Sequence, residues 1–160
     1  MNEQSDKSKG PGVYVPPPLF YALTFAAAVF IQKKLPLDDS LFRCWATKYV
    51  GISLLLISLF FLFRSLRQFF ETKNTLILIK PATSLQTTGV YAITRNPMYL
   101  GLAILYFAIA CFIGNWWNVI LFPVLFLIVQ EYIIKHEEKY LLAEFGDAFT
   151  KYCKATRRWL

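Results

Sequence analysis

The sequence is poor in the residues that most often build metal and redox sites. It has one histidine, His136, and three widely spaced cysteines, Cys44, Cys111 and Cys153. An odd number of distant cysteines predicts neither a disulfide framework nor a thiolate metal cluster. We therefore expect no metal site, so any chemistry relies on carboxylates, arginines, backbone groups or a bound organic cofactor.

Charged residues are also few and unequal in sign. The 160 residues include 17 Lys and Arg but only 10 Asp and Glu, whereas 56% are hydrophobic. Intrinsic disorder requires low hydrophobicity and is excluded. The apolar surface also exceeds what a soluble domain of this length can bury, which argues against a nucleic-acid-binding domain. The composition predicts a membrane protein with basic flanks.

Four apolar runs, at residues 19–31, 49–63, 98–114 and 116–134, predict membrane-spanning helices. A bilayer core of about 30 Å requires about 20 helical residues, so the first two runs must borrow flanking residues. The predicted fold class is all-α: a polytopic membrane protein with about four transmembrane helices and a cytoplasmic helical tail at its C-terminal end.

The polar ends and connections predict the domain organisation and the orientation. Residues 1–18 are polar and then rich in glycine and proline, which predicts a disordered cytoplasmic leader before a single membrane domain at 19–160. With four spans, one side of the membrane carries 13 of the 17 basic residues. By the positive-inside rule that side is cytoplasmic, and it holds both termini.

A tight Gly-Asn turn at Asn115 predicts that the last two runs form an antiparallel hairpin. Arg95 and Glu137 stand 20 and 22 residues from that turn. At about 1.5 Å per helical residue, both are roughly 30 to 33 Å away from it. In two antiparallel helices, residues at equal distances from the turn that joins them lie at the same depth in the membrane. Arg95 and Asn96 are therefore expected to face Glu137 and Glu138 at the cytoplasmic boundary.

This boundary has the features of a site for a zwitterion. The Asn96-Pro97 pair predicts a helix start, with an asparagine able to cap and a proline in the first turn. The positive end of that helix, next to Arg95, suits a carboxylate or phosphate, and the acid pair can accept hydrogen bonds from an ammonium or hydroxyls. Taken singly, Arg95 is also explained as a flanking charge, Tyr99 as an interface anchor and Gly101 as a helix-packing contact.

Residues 89–101, GVYAITRNPMYLG, followed beyond the hairpin by Glu137-Glu138, resemble the isoprenylcysteine carboxyl methyltransferase and phospholipid methyltransferase superfamily. Its signature is Arg-His-Pro-x-Tyr-x-Gly, a hydrophobic hairpin and a Glu-Glu pair. The resemblance extends over roughly residues 75–160 and includes a terminal Arg158-Trp159. Asn96 stands where histidine is usual, which favours a prokaryotic member.

The resemblance implies an integral membrane methyltransferase that uses S-adenosylmethionine and releases S-adenosylhomocysteine. Arg95 and the start of the third helix would hold the cofactor's carboxylate, and the two glutamates would take its ammonium or ribose hydroxyls. The residues that the resemblance assigns to cofactor binding are Tyr91, Arg95, Asn96, Pro97, Tyr99, Gly101, Glu137 and Glu138.

Three residues are candidates for the catalytic side of the site: Glu131, Glu138 and Arg158. Glu131 lies about one turn inside the membrane edge, where a carboxylate is costly unless it faces the protein interior or reaches the interface. An amine acceptor would need a general base, with Glu131 or Glu138 the first candidates, whereas a carboxylate or thiolate acceptor needs none. Arg158 either folds back over the pocket, meets an anionic substrate, or binds lipid headgroups.

The predicted function is methyl transfer from S-adenosylmethionine to a lipophilic acceptor, first of all an isoprenylcysteine-type carboxylate. A phospholipid amine and a small thiol are alternative acceptors, and a non-catalytic membrane scaffold or transporter subunit is the alternative of another class. The expected partners are the lipid bilayer and a lipophilic or small-molecule acceptor, without nucleic acid or metal. The expected location is the inner membrane of a prokaryote, with the active site on the cytoplasmic side.

Overall fold

The computed structural model of the chain describes residue 12 and residues 15–72 and 84–160. All regular elements in these residues are helical, which confirms the all-α fold class. Most of the predicted leader, and residues 75–83 of the predicted cofactor-binding part, lie outside the described residues. The α-helices are α1 (Pro17–Lys34), α2 (Trp45–Glu71), α3 (Pro97–Ile113), α4 (Trp116–Ile128), α5 (Lys135–Phe145) and α6 (Asp147–Ala155).

Helices α4 and α5 form one continuous helix. A π-helical turn, Val129–Ile134, joins them, and the helix ends at Gly146, which has a positive φ of 49°. The 30 residues of Trp116–Phe145 span about 45 Å at 1.5 Å per residue, more than the apolar core of a bilayer at about 30 Å. The polar residues of α5 therefore extend past the apolar part of this helix.

Among residues 15–72 and 84–160, two helices are long and apolar enough to cross a membrane, Trp45–Glu71 and Trp116–Phe145. Helix α3 is apolar but has only 17 residues. Helix α1 has 18 residues and ends on two lysines. The predicted number of about four spans is therefore supported for two helices, and for α1 and α3 it stays a prediction.

Helix α2 has the polarity pattern of a helix in lipid. Its large apolar side chains point outward, with Leu56 63% and Phe63 65% exposed. Its buried residues are Gly51, Ser58 and Ser65, spaced by seven and therefore on one face. Small residues at helix contacts with apolar side chains outside are typical of membrane bundles, where close packing rather than hydrophobic burial holds helices together.

The buried face of α2 packs against α3, and Gly101 lies at their closest approach. The Ser58 hydroxyl donates a hydrogen bond of 2.8 Å to the Gly101 carbonyl. A Cβ added at Gly101 would lie 2.9 Å from Cδ2 of Leu62 and 3.3 Å from its backbone nitrogen. Gly101 is therefore a helix-packing contact between α2 and α3, and its predicted part in binding the cofactor stays a prediction.

The tight turn between α3 and α4 is confirmed. Gly114 has a positive φ of 71°, and the Asn115 side chain caps α4 by accepting the Trp117 N–H at 2.9 Å. Next to the turn, the Tyr106 hydroxyl donates to Oδ1 of Asn118 at 3.0 Å. Farther along, α3 packs chiefly on α2 and α4 on α1. An apolar groove is left between α3 and α4.

The hydrogen bond between α2 and α3 leads to a first prediction. We expect Ser58→Ala to lower the free energy of unfolding by about 0.6 kcal/mol and by no more than about 1.7 kcal/mol, the range measured for hydrogen bonds between membrane helices. Reversible unfolding in mixed micelles measures it. Ser53→Ala, on the exposed side of α2, is the matched control, and equal effects of the two variants would contradict the assignment.

Candidate functional site

A cluster of charged side chains lies where three parts of the chain meet: the start of α3, helix α5 and the C-terminal segment, residues 156–160. Nη2 of Arg95 donates to Oε1 of Glu138 at 2.9 Å. Arg158 contacts both oxygens of the same carboxylate, through Nη2 to Oε2 at 2.6 Å and through Nε to Oε1 at 3.0 Å. The Arg95 and Glu138 side chains are only 13% and 17% exposed. The contact predicted from their equal distances to the hairpin turn is confirmed.

Arg95 and Arg158 differ in the hydrogen-bond donors that remain available for a ligand. The hydrogen bonds to Glu138 raise the pKa of Arg158, which therefore stays charged. Arg95 also donates through Nη1 to the Cys153 carbonyl at 3.2 Å. Its Nε is buried without a hydrogen-bond partner among the described residues. A buried unpaired donor is costly, so Arg95 retains a donor that a further acceptor would satisfy.

The neighbouring acid, Glu137, has a separate environment. The Tyr99 hydroxyl donates to Oε2 of Glu137 at 2.8 Å, and the Tyr21 hydroxyl of α1 donates to the Tyr99 carbonyl at 3.3 Å. Successive helical residues point about 100° apart, so the two glutamates face different partners. Glu137 lies beside a buried phenol, whereas both oxygens of Glu138 already bind guanidinium groups.

The start of α3 is partly as predicted. The helix begins at Pro97, with Asn96 in the N-cap position. The expectation that the Asn96 side chain caps the helix is wrong, because it makes no hydrogen bond to the first turn. Its amide donates instead to the Arg158 carbonyl at 2.9 Å. The Asn96 side chain therefore does not cap the positive end of α3 but ties the C-terminal segment to it.

Residues 156–160, the C-terminal segment, lie across the start of α3. The Arg95 amide donates to the Arg157 carbonyl at 2.9 Å, and the Thr94 hydroxyl donates to the Arg158 carbonyl at 3.0 Å. Arg158 thus folds back onto the cluster, and its role toward a pocket or a substrate stays a prediction. The sequence did not identify Thr94 as a site residue. A threonine just before a helix gives no indication that its hydroxyl will bind the Arg158 carbonyl, 64 residues away.

Helix α6 supports the turn that precedes Arg95. The Tyr152 hydroxyl donates to the Tyr91 carbonyl at 2.6 Å, and the Tyr91 ring stacks on Phe69 of α2 with centroids 6.0 Å apart. Burial raises the pKa of both tyrosines, and the charge of Glu137 adds to the rise at Tyr91. Both phenols therefore stay protonated at neutral pH. Tyr91 therefore links α2 and α6.

Glu131, a predicted site residue, lies outside the cluster and makes its ion pair with Lys135. It lies in the π-helical turn on the exposed side of the bundle. Its carboxylate accepts from Nζ of Lys135 at 2.6 Å, and both side chains are 51% exposed. A surface pair of this kind contributes little stability. Its role toward a substrate stays a prediction.

Comparison with known proteins assigns the family. The model of the phospholipid methyltransferase family matches residues 46–148. The chain therefore belongs to the phospholipid methyltransferase family, and its exposed apolar helices agree with a membrane methyltransferase.

Two relatives share part of the sequence. An uncharacterized protein of Haemophilus influenzae is 38% identical over 66 residues, which are 39% of this chain and all of that protein. The protein-S-isoprenylcysteine O-methyltransferase of Schizosaccharomyces pombe is 34% identical over 70 residues, 44% of this chain. The matched part spans only 30% of the length of the yeast protein. No solved structure matches the chain.

Proposed function

We propose that the chain transfers a methyl group from S-adenosylmethionine to a lipophilic acceptor, with the cofactor at the cluster of Arg95, Glu137, Glu138 and Arg158. One observation carries the proposal: a carboxylate held by two guanidinium groups at one end of an apolar bundle, in a chain of a methyltransferase family. The methionine part of the cofactor has a carboxylate and an ammonium. The cluster offers partners of both signs.

The residues present fit this cofactor. Two features suit a carboxylate: the buried Nε of Arg95, which has no hydrogen-bond partner in residues 15–72 and 84–160, and the start of α3, which the Asn96 side chain leaves uncapped. Glu137, fixed by Tyr99, has oxygen lone pairs left for an ammonium or a ribose hydroxyl. The C-terminal segment lies over the same place and would separate the cofactor from water.

In this mechanism the protein mainly positions the cofactor and the acceptor. The bound cofactor supplies a methyl group that is already activated by its sulfonium. Arg95 and Glu137 would orient it, and the C-terminal segment would exclude water. The substrate's nucleophile would form a bond to this methyl carbon as the bond from carbon to sulfur breaks, and S-adenosylhomocysteine would be released. No residue needs to become covalently modified.

The geometry favours an acceptor that needs no general base. Both oxygens of Glu138 are occupied by guanidinium N–H groups, so taking up a proton would break an ion pair. Glu131 is paired with Lys135 outside the cluster. A carboxylate or thiolate is nucleophilic without losing a proton in the reaction, whereas an ammonium is not. The proposed acceptor is therefore an isoprenylcysteine-type carboxylate, with a thiol second and a phospholipid amine third.

A label-tracing assay tests the acceptor. Membranes containing the chain are incubated with S-adenosylmethionine labelled in its methyl group and a membrane lipid extract. We expect the label in a base-labile ester, and no transfer with Arg95→Gln. Label only in phospholipid, or only in a volatile sulfide, would reject the carboxylate. Absence of both transfer and cofactor binding would favour a non-catalytic scaffold.

The proposed topology has four spans, both termini in the cytoplasm and the site on that side, in a prokaryotic inner membrane. It rests on the basic residues of the sequence and on the position of the cluster. It places Cys44, just before α2, and Cys153, in α6, on opposite sides of the membrane. The same two thiols differ in chemistry: the hydrogen bond with Thr47 lowers the pKa of Cys44, whereas burial raises the pKa of Cys153.

Thiol labelling tests both statements in a Cys111→Ser chain. A membrane-impermeant maleimide is expected to label Cys44 and Cys153 from opposite faces of sealed vesicles. In detergent, iodoacetamide is expected to modify Cys44 several-fold faster near neutral pH, because the lower pKa gives more thiolate and the reaction requires the thiolate. Lowering the pH slows both reactions. Labelling of both thiols from one face would contradict the topology.

A further inference from the structure

The outward side of α6 carries positive charge. The buried residues of this helix are Phe149 and Tyr152. Lys151 and Lys154 lie near the opposite side of the helix, at about 3.6 residues per turn, and both are exposed. Arg157, just beyond the end of the helix, is exposed as well. Three cations therefore follow one another along the outer surface of the C-terminal part.

The last two of these cations are not neutralised by neighbouring acids. The ion pairs within residues 15–72 and 84–160 include neither Lys154 nor Arg157. The acidic residue of α6, Asp147, lies in its first turn, about 10 Å along the axis from Lys154 at 1.5 Å per residue. Arg158, by contrast, is bound to Glu138. Lys154 and Arg157 are therefore available for an anion from outside the chain.

Two hydrogen bonds hold the backbone around these residues at the start of α3. Nη1 of Arg95 donates to the carbonyl of Cys153, next to Lys154, at 3.2 Å. The Arg95 amide donates to the Arg157 carbonyl at 2.9 Å. Helix α3 is apolar and begins at Pro97, so its start marks one edge of the apolar part of the bundle. Lys154 and Arg157 lie at that edge.

The chain reaches the apolar part of α4 directly after Arg157. The Trp159 ring packs against Phe126 of α4 with centroids 5.0 Å apart. Close to Phe126, Val124 and Leu127 are 57% and 56% exposed, as is typical of side chains that face lipid. Arg157 is thus two residues from a ring on an apolar, outward-facing helix, and a long cationic side chain at such a place reaches the lipid head groups.

We infer that Lys154 and Arg157 bind the phosphate of an anionic phospholipid at this edge of the bundle. The inference goes beyond the proposed function and does not depend on methyl transfer. A guanidinium matches two phosphate oxygens, and a lysine adds a point charge. A lipid is the occupant, rather than free phosphate, because its acyl chains lie against the exposed apolar residues of α4 while its phosphate meets the two cations. Anionic lipids of a cytoplasmic leaflet are attracted to basic residues in this position.

Photolabelling tests this lipid site on the full chain. The probe is phosphatidylglycerol with a diazirine in an acyl chain close to the glycerol, as a minor component of phosphatidylcholine vesicles. We expect labelled peptides from the C-terminal segment and α4. Unlabelled phosphatidylglycerol should compete with the probe, whereas added phosphatidylcholine and inorganic phosphate should not. Raising the salt concentration should weaken the labelling, because ions screen exposed charges.

Charge variants at the two positions test the assignment. Lys154→Gln combined with Arg157→Gln should reduce the labelling by about 10- to 30-fold, as expected for the loss of two cations at a membrane surface. Arg157→Gln alone, with an expected loss of about fivefold, is a second variant in case the double one does not fold. Lys154→Arg combined with Arg157→Lys keeps both charges and should retain the labelling.

Arg67→Gln combined with Lys135→Gln is the matched control. It removes two exposed cations that already pair with Glu71 and Glu131, so the net charge falls equally while the labelling should stay nearly unchanged. An equal loss in both double variants would mean that net charge alone attracts the lipid, and would overturn the inference. Equal competition by phosphatidylcholine would show that the head group is not selected, and competition by inorganic phosphate would show a site for free phosphate. Either result would also overturn it.

Discussion

Arg95→Gln is expected to weaken the binding of S-adenosylhomocysteine by about 30- to 150-fold, the equivalent of about 2 to 3 kcal/mol for a hydrogen bond to a charged group. The substitution removes the guanidinium with a spare buried donor, while Glu138 keeps its contacts with Arg158. Competition against labelled S-adenosylmethionine in detergent measures the change in affinity.

Two further variants separate the site from its surroundings. Arg64→Gln removes a positive charge from an exposed position on α2 and should leave the affinity unchanged, since Arg64 would contribute only to orientation. Glu138→Gln should also weaken binding, because it leaves Arg95 and Arg158 without their shared counter-ion. If Arg95→Gln and Arg64→Gln behave alike while both stay folded, Arg95 is only a flanking charge.

Gly101→Leu is expected to prevent stable packing of α2 on α3. Even a Cβ at this position would lie 2.9 Å from the Leu62 side chain, with its backbone nitrogen behind it at 3.3 Å. For Gly101→Ala we expect a loss of about 1 to 3 kcal/mol, the usual cost of overpacking. Unfolding in mixed micelles measures both variants.

A compensating change checks the cause. Leu62→Ala should restore part of the stability lost in Gly101→Ala, because it removes the atoms that the new Cβ meets. Ile109→Phe enlarges an exposed residue of α3 and should have little effect. If the two substitutions at Gly101 and Leu62 are simply additive, the close approach of the backbones does not explain the glycine.

The meeting of Arg95 with Glu138 could be predicted because it depends on helix geometry alone. Two apolar helices joined by a short turn rise by the same distance per residue, so residues at equal separations from Asn115 come to one level. This prediction of depth requires only the position of the turn and the number of residues on each side of it. The same reasoning cannot decide which acid faces which partner, because that depends on side-chain rotation and on the π-helical turn before α5.

The details that sequence reasoning missed depend on contacts distant in the chain. Asn96 has the chemistry of a helix cap, yet its amide binds the Arg158 carbonyl, 62 residues away. Tyr21 supports Tyr99 from α1, a helix without a recognisable signature. The groove arises because α3 and α4 pack on different neighbours. Such contacts between distant parts of the chain cannot be predicted from a local sequence pattern.

Equilibrium dialysis of methyl-labelled S-adenosylmethionine against the purified chain in detergent tests the central claim most directly. The account predicts saturable binding of one cofactor per chain, displaced by S-adenosylhomocysteine, retained in Arg64→Gln and strongly weakened in Arg95→Gln. The absence of saturable binding to a folded wild-type chain would contradict it.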